Sequence, residues 1–446
     1  MNVTTTSALG MVNPPDVHRT LARTILADGF DLVFDYERSR GSWLHDARSG
    51  RRYLDFLTFF GSNPLGFNHP KMQEPEFLRI LHRVAQLKPS LSDIYSVEYA
   101  GFVEVFQRLA IPPYLRHGFF IEGGTLAVEN ALKTAFDWKV RRNKRMGRGE
   151  KGSQVIHFRE AFHGRSGYTL SLTNTDPVKT DYFPKFDWPR VENPKLRFPV
   201  TAEVEAEVAA AEERALDQVR RAFAERPDDI AAIIIEPVQA EGGDNHFRPS
   251  FLQALQRLAD EHECFFVVDE VQTGIGLTGR MWAHEHFGLR PDALAFGKKT
   301  QVCGCLVGEK VDQEPQNVFT VPSRINSTWG GNLTDMVRFG RFLEVIQEDA
   351  LVENARVVGA HLLRGLEQVQ AEAGGVLSNA RGLGLMIAVD LPTPEARDRA
   401  HRKVIENGLL LLKCGPRSLR FRPPLDLTPA DADAGLDIVR RTVKAL

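Results

Sequence analysis

The chain has 446 residues, 43% of them hydrophobic and 26% charged, with a formal net charge of −2. That is the composition of an ordinary globular protein long enough for two or three domains, and its balance offers nucleic acid or an anionic membrane no electrostatic foothold. No apolar run approaches the roughly 18 residues of a membrane span. The start, Met1-Asn2-Val3-Thr4-Thr5-Thr6-Ser7, lacks the pattern of a secretory signal, so a cytoplasmic location is expected. Cys264, Cys303, Cys305 and Cys414 are too scattered for a disulfide framework. Cys303-x-Cys305 has no second pair to close a zinc site, and His284-Glu285-His286 diverges in direction on a helix, so no metal is expected.

In chain order, Asp16 to Ala27 reads as a short helix. Trp43 to Phe56 alternates around a Ser-Gly turn and reads as a β-hairpin of a small N-terminal unit. Gly61 to Pro70 is a Gly/Asn/Pro loop. From about Ser90, helices alternate with short apolar strands, the signature of an α/β unit with a largely parallel sheet. Phe119-Phe120-Ile121 runs into Glu122-Gly123-Gly124-Thr125 and then a helix with Leu126, Ala127, Ala131, Ala135 and Trp138 near one face. A strand, a glycine turn and a helix N-terminus make an anion site, although a tight turn needing positive φ reads the same way. Val155 to Phe158 is a strand followed by Phe162-His163-Gly164-Arg165. The aromatic suits stacking on a flat ring and the guanidinium suits a carboxylate, with a core Phe and a surface Arg as the alternative.

The Pro-rich segment Phe183 to Pro199 reads as irregular. A helix from about Ala202 to Glu225 precedes the β-branched run Ile230 to Ile235, a strand buried on both faces that ends in Glu236-Pro237. Glu241-Gly242-Gly243 opens the next turn, and a helix around Phe251 to Ala259 leads to the strand Phe265 to Val268. Leu333 to Ala371 reads as one long helical stretch into a C-terminal α+β unit. Strands there are expected at Leu385 to Val389 and Leu409 to Leu412, with an edge at Leu419 to Phe421.

Two features carry chemistry. Asp269 stands at the C-terminal end of a buried strand, where open α/β sheets bind ligands. About thirty residues on comes Phe296-Gly297-Lys298-Lys299-Thr300. An acid to pair with a pyridinium nitrogen, and a lysine amine to condense with an aldehyde, are what a pyridoxal phosphate enzyme needs. Either alone is a weak signal.

The ordered set Gly-Gly-Thr, Phe-His-Gly-Arg, Glu-Pro, Asp-Glu-Val-Gln-Thr-Gly, Gly-Lys, Ser-Thr-Trp-Gly-Gly-Asn and Arg-Phe-x-Pro-Pro-Leu resembles the class III, or ω-amino acid, aminotransferases of fold type I. The resemblance covers nearly the whole chain. It implies an α/β fold in which a large domain (81–335), with a mostly parallel seven-stranded sheet, carries pyridoxal 5′-phosphate. A smaller α+β domain would come from residues 1–80 and 336–446. Carried over by position, Gly124 and Thr125 match the phosphate cup, Phe162 the stacking aromatic with His163 beside it, and Val271 the apolar residue on the ring's other face. Asp269 matches the pyridinium partner, Gln272 a donor near the phenolic oxygen and the substrate, and Glu236 a buried orienting acid. The family's spacing from Pro291-Asp292 makes Lys298, not Lys299, the cofactor lysine and the general acid/base. Thr328 matches a threonine given to the partner subunit's phosphate, which implies a homodimer with composite active sites.

Within the family, the strings Phe296 to Gly304, Gly164 to Asn174 and Asn326 to Asn332 look closest to members that move the ε-amine of L-lysine to 2-oxoglutarate. Arg165 would then hold the carboxylate far from the reacting carbon, with Asn326 at the same end. Arg420 would bind the α-carboxylate of 2-oxoglutarate. Glu241 matches the acid that neutralises Arg420 during the lysine half-reaction and swings away for the keto acid. The alternatives are 4-aminobutyrate, ornithine or another ω-amine as donor, a different pyridoxal phosphate reaction, or cofactor binding without catalysis.

Overall fold

Seven strands form the spine of the structure, a computed structural model that describes residues 12–446. The Met1-to-Ser7 stretch lies outside the described residues. The strands are β1 (Leu115–Ile121), β2 (Gln154–Phe158), β3 (Arg190–Val191), β4 (Ile230–Ile235), β5 (Phe265–Asp269), β6 (Ala293–Phe296) and β7 (Cys303–Gly308), in the spatial order β1-β7-β6-β5-β4-β2-β3. Strand β7 runs antiparallel to both neighbours, and the remaining pairs are parallel. The mostly parallel seven-stranded sheet expected from the sequence is therefore present.

Every residue of β4, β5 and β6 is buried, which explains their unbroken apolar character. The period of two still operates within them: Ile233, Ile235, Phe266 and Val268 face one core, and Ala232, Ile234, Phe265 and Val267 the other. Helix α1 (Gly124–Arg145) covers the second face with Ala127, Ala131, Ala135 and Trp138. Leu126, expected on that face, points outward. The edge strand β3 sits inside the Pro-rich segment expected to be irregular and pairs only through His157↔Arg190 and Phe158↔Val191.

Outside this sheet, the hairpin Trp43–His45/Arg52–Asp55 forms as expected, and its second strand pairs in parallel with Leu409–Leu410. The N-terminal helix is shorter than expected, Val17–Leu21 after a single turn at Pro14–Asp16. The long C-terminal helical stretch is two helices, Leu333–Glu348 and Leu351–Glu372, broken at Ala350, whose φ is 51°. A four-stranded sheet has the order Ser378–Leu383, Met386–Asp390, Ser418–Phe421, Leu412–Cys414. Ser418–Phe421, expected at an edge, is an inner strand that pairs with both neighbours, so the side chain of Arg420 starts from a buried position. The 409–412 strand is split into Leu409–Leu410 and Leu412–Cys414, one piece in each sheet.

The turn at residues 241–244 is bolted to this C-terminal part. Gly415 N donates to Glu241 O at 2.7 Å, Arg381 donates to the carbonyls of Gly243 and, at 3.0 Å, Asp244, and Arg422 makes a fully buried two-point ion pair with Asp244. No helix of the described residues is long and apolar enough to cross a membrane. The four cysteines are buried and free. Among the described residues no group of His, Cys, Asp and Glu could hold a metal, and His284 instead bonds Glu270 at 2.9 Å.

Candidate active site

The parallel strands deliver their C-terminal ends to one edge of the sheet. Asp269 ends β5, Gly297 and Lys298 follow β6, Glu236 follows β4, Phe162 and His163 follow β2, and Gly124 and Thr125 follow β1. These residues, with Phe60, Gly164, Ala240, Glu241, Val271, Gln272 and Arg420, line one cavity of about 270 Å³.

At its floor, Asp269 Oδ2 lies 2.8 Å from His163 Nδ1 and its Oδ1 accepts from Val271 N at 3.0 Å. Both side chains are buried, so the carboxylate is aimed by two partners rather than by solvent. Glu236 accepts from Phe162 N at 2.9 Å and from Ala240 N at 3.0 Å. It thereby holds the backbone that carries both Phe162 and His163. Burial pushes its carboxyl up to about 7; the nearby His163 opposes the shift and the Asp269 charge adds to it.

The two adjacent lysines have unlike environments. Lys298 reaches the cavity from a backbone at φ 54°, a conformation non-glycine residues seldom adopt. Burial lowers its pKa, with Asp269 opposing and Arg420 assisting. Lys299 is buried behind the wall and donates to Gln272 O at 2.7 Å. Burial, and then the charge of Lys298, hold its amine well below the usual range.

The residues fit pyridoxal phosphate on three counts. Helix α1 begins at Gly124 after Gly123 at φ 97°, with no side chain capping its first turn, so free N–H groups face the cavity. A Cβ on Gly124 would stand 2.9 Å from Val271 Cγ1, so only glycine leaves room between them. Gln272 Nε2 and His163 Nε2 are buried without a hydrogen-bond partner, donor or acceptor capacity a polar ligand can use. Glu122, given no phosphate role, pairs with Lys88 at 2.9 Å.

The expected substrate groups divide. Arg420 lines the cavity, is buried, and leaves Nε without a hydrogen bond. Glu241 lines the same cavity but does not pair with Arg420 here: its carboxylate forms an ion pair with Lys179 and accepts from Thr175 Oγ1 at 3.3 Å. Arg165, Asn326 and Thr328 are exposed and do not line the cavity of their own chain. The Thr328 carbonyl accepts from Ser90, and Asn326 Oδ1 accepts from Ser327 N at 2.7 Å. Sequence reasoning missed Phe60, whose turn follows the hairpin at positive φ, and Lys179, which no local pattern marks.

The family model of class-III aminotransferases matches residues 26–443. The chain is 52% identical over 429 residues to an L-lysine-epsilon aminotransferase of Mycobacterium tuberculosis, covering 96% of this chain and 95% of that one. It is 32% identical to a 4-aminobutyrate aminotransferase of Dictyostelium discoideum, covering 92% and 85%. A solved lysine aminotransferase from M. tuberculosis superposes with a TM-score of 0.95 at 50% identity, covering 97% of this chain and all of that one. The chain belongs to the class-III aminotransferases and is a pyridoxal-phosphate-dependent enzyme.

Proposed function

We propose that the enzyme transfers the ε-amino group of L-lysine to 2-oxoglutarate, giving 2-aminoadipate 6-semialdehyde, which cyclises with its own α-amine, and L-glutamate. The observation that carries this reading is that one buried guanidinium, Arg420, lines the same cavity as an acid, Glu241, that pairs with Lys179 rather than with it. The likeness to L-lysine-epsilon aminotransferases across nearly the whole chain favours lysine over 4-aminobutyrate.

When bound, pyridoxal phosphate supplies an aldehyde for the amine and a ring that draws electrons from the bond being broken. Gly124 and Thr125 would hold its phosphate, Phe162 and Val271 its two faces, Gln272 its phenolic side and Asp269 its ring nitrogen. His163 and Val271 N hold the Asp269 carboxylate in position. Lys298, its pKa lowered by burial, is suited to take a proton from the ε-carbon of lysine and to return one in the reverse half-reaction. Arg420 binds the α-carboxylate of 2-oxoglutarate once Glu241 has moved aside. For lysine, which presents only hydrogen there, Glu241 covers the guanidinium. Without it a buried unpaired charge would cost about 3–5 kcal/mol.

The reading includes a homodimer with composite sites. Its support is that Arg165, Asn326 and Thr328 do not face their own chain's cavity. It also includes the cytoplasm, which suits four free buried cysteines. Profiling amine donors with 2-oxoglutarate as acceptor tests the function. Lysine should give glutamate and the cyclised product fastest, and faster turnover of 4-aminobutyrate or ornithine would overturn the assignment.

A further inference from the structure

We infer that Lys179 is the parking site of the Glu241 carboxylate, and so sets how readily Arg420 is released to the keto acid. The inference rests on the proposed two-substrate reading and names a residue that reading lacks. Three observations carry it.

First, the turn bearing Glu241 is fixed, so only its side chain can choose a partner. Gly415 and Arg381 hold its backbone, Arg422 pins the Asp244 side chain, and a Cβ on Gly242 would lie 2.1 Å from Glu160 O. Second, the acid and its base are only partly covered, with side-chain exposures of 25% for Glu241 and 28% for Lys179, so the pair can open. Third, Lys179 has a second partner in place. It ends the short turn Pro177–Lys179, capped where Asp176 accepts from Val178 N at 3.1 Å, and its Nζ stands 5.8 Å from the centre of the Phe162 ring. When Glu241 departs, the ammonium keeps that aromatic face as a partner.

Moving the carboxylate from Lys179 to Arg420 thus exchanges one ion pair for another, and neither end leaves an acid without a cation. The Lys179 pair thereby offsets part of the preference of the acid for Arg420, which a pocket serving two unlike substrates in turn requires. With the ammonium removed, the carboxylate would favour Arg420, and the keto acid would bind only the fraction of molecules in which Arg420 is free.

The test is a double-mutant cycle on the holoenzyme, with the two half-reactions followed separately in the cofactor's visible spectrum. Lys179→Gln should raise the 2-oxoglutarate concentration for half-maximal rate roughly two- to fivefold, the scale of a partly exposed ion pair. Half-saturation by lysine should be unchanged or lower. Lys179→Arg should restore the parent value. In a Glu241→Ala background, Lys179→Gln should have no further effect on 2-oxoglutarate. Lys179→Met, which keeps an apolar stem against Phe162, is the second variant should the glutamine disturb folding. An equal loss for both substrates, persistence of the effect in Glu241→Ala, or no change in any variant would overturn the parking role. Absence of lysine-dependent turnover in the parent enzyme would instead overturn the substrate reading.

Discussion

The floor and the rim of the cavity are built differently. At the floor, Asp269, His163, Glu236 and Lys298 come from the ends of four strands at one sheet edge, and the first three are buried and held by close neighbours. Arg165, Asn326 and Thr328, placed at the rim by the sequence reading, are exposed and do not line the cavity of their own chain. Burial is the reason. A carboxylate that must hold a charged ring nitrogen has to be aimed in a low-dielectric place, and a single core can do that. Groups that meet substrates must remain reachable. The contrast teaches that buried, mutually bonded groups are fixed by one core, whereas the exposed groups are not held at this cavity by their own chain.

The sharpest way to break this contrast is at the floor. Lys298→Ala should lower turnover by about 10⁵-fold or more, and borohydride should no longer fix the cofactor to the peptide carrying residues 298 and 299. Lys299→Ala should still be labelled, at Lys298. Labelling of Lys298→Ala would reverse the assignment of the two lysines.

Asp269→Asn comes next, with a fall in kcat of roughly 100- to 1000-fold in a protein that still folds. Near-normal turnover would remove Asp269 from the floor. At the rim, Arg165→Ala should raise KM for lysine roughly tenfold with a smaller change in kcat, because it loses binding rather than chemistry. Mixing Lys298→Ala with Thr328→Ala subunits should give more activity than either parent, since hybrid dimers hold one intact site. A fully active monomer on a sizing column would end the composite-site reading.

A separate effect concerns stability at the wall, not catalysis. Asp55 accepts from Leu57 N and Thr58 N, both at 2.9 Å, beneath the turn that brings Phe60 to the cavity. Burial raises its pKa from 3.8 to about 6. A raised pKa means the folded state holds the proton longer than the unfolded chain. The contribution is therefore full below about pH 4 and is lost as pH rises through 6, about 3 kcal/mol over roughly two pKa units. Asp55→Asn should flatten that part of the unfolding profile between pH 4 and 6.5. An unchanged slope would show that Asp55 titrates as in the unfolded chain.

Much of the floor was legible because it is local. The runs at 230–235 and 265–268 announce buried strands, and a residue after such a strand falls at the sheet edge whatever the rest of the chain does. The family's spacing from Pro291-Asp292 pointed to Lys298 over Lys299, two lysines that composition cannot distinguish, and of the two Lys298 lines the cavity. What stayed hidden depends on distant contacts. Arg190 and Val191 form a strand only because β2 offers them an edge. The break at Ala350 lies between two good helical patterns with no proline or glycine to mark it. Lys179 meets Glu241 across 62 residues, and nothing near either residue announces the other.

The anchoring of the turn at residues 241–244 has a consequence for redesign. A transplant of this turn into a protein without an arginine at the position of Arg422 would carry Asp244 into a core with no partner for it. An orphaned carboxylate there would cost about 3–5 kcal/mol, enough to mask any gain in selectivity. The transferable structural unit is therefore discontinuous: the turn travels only with Arg381, Gly415 and Arg422, and a single-segment chimera that leaves them behind would lose stability whatever its chemistry.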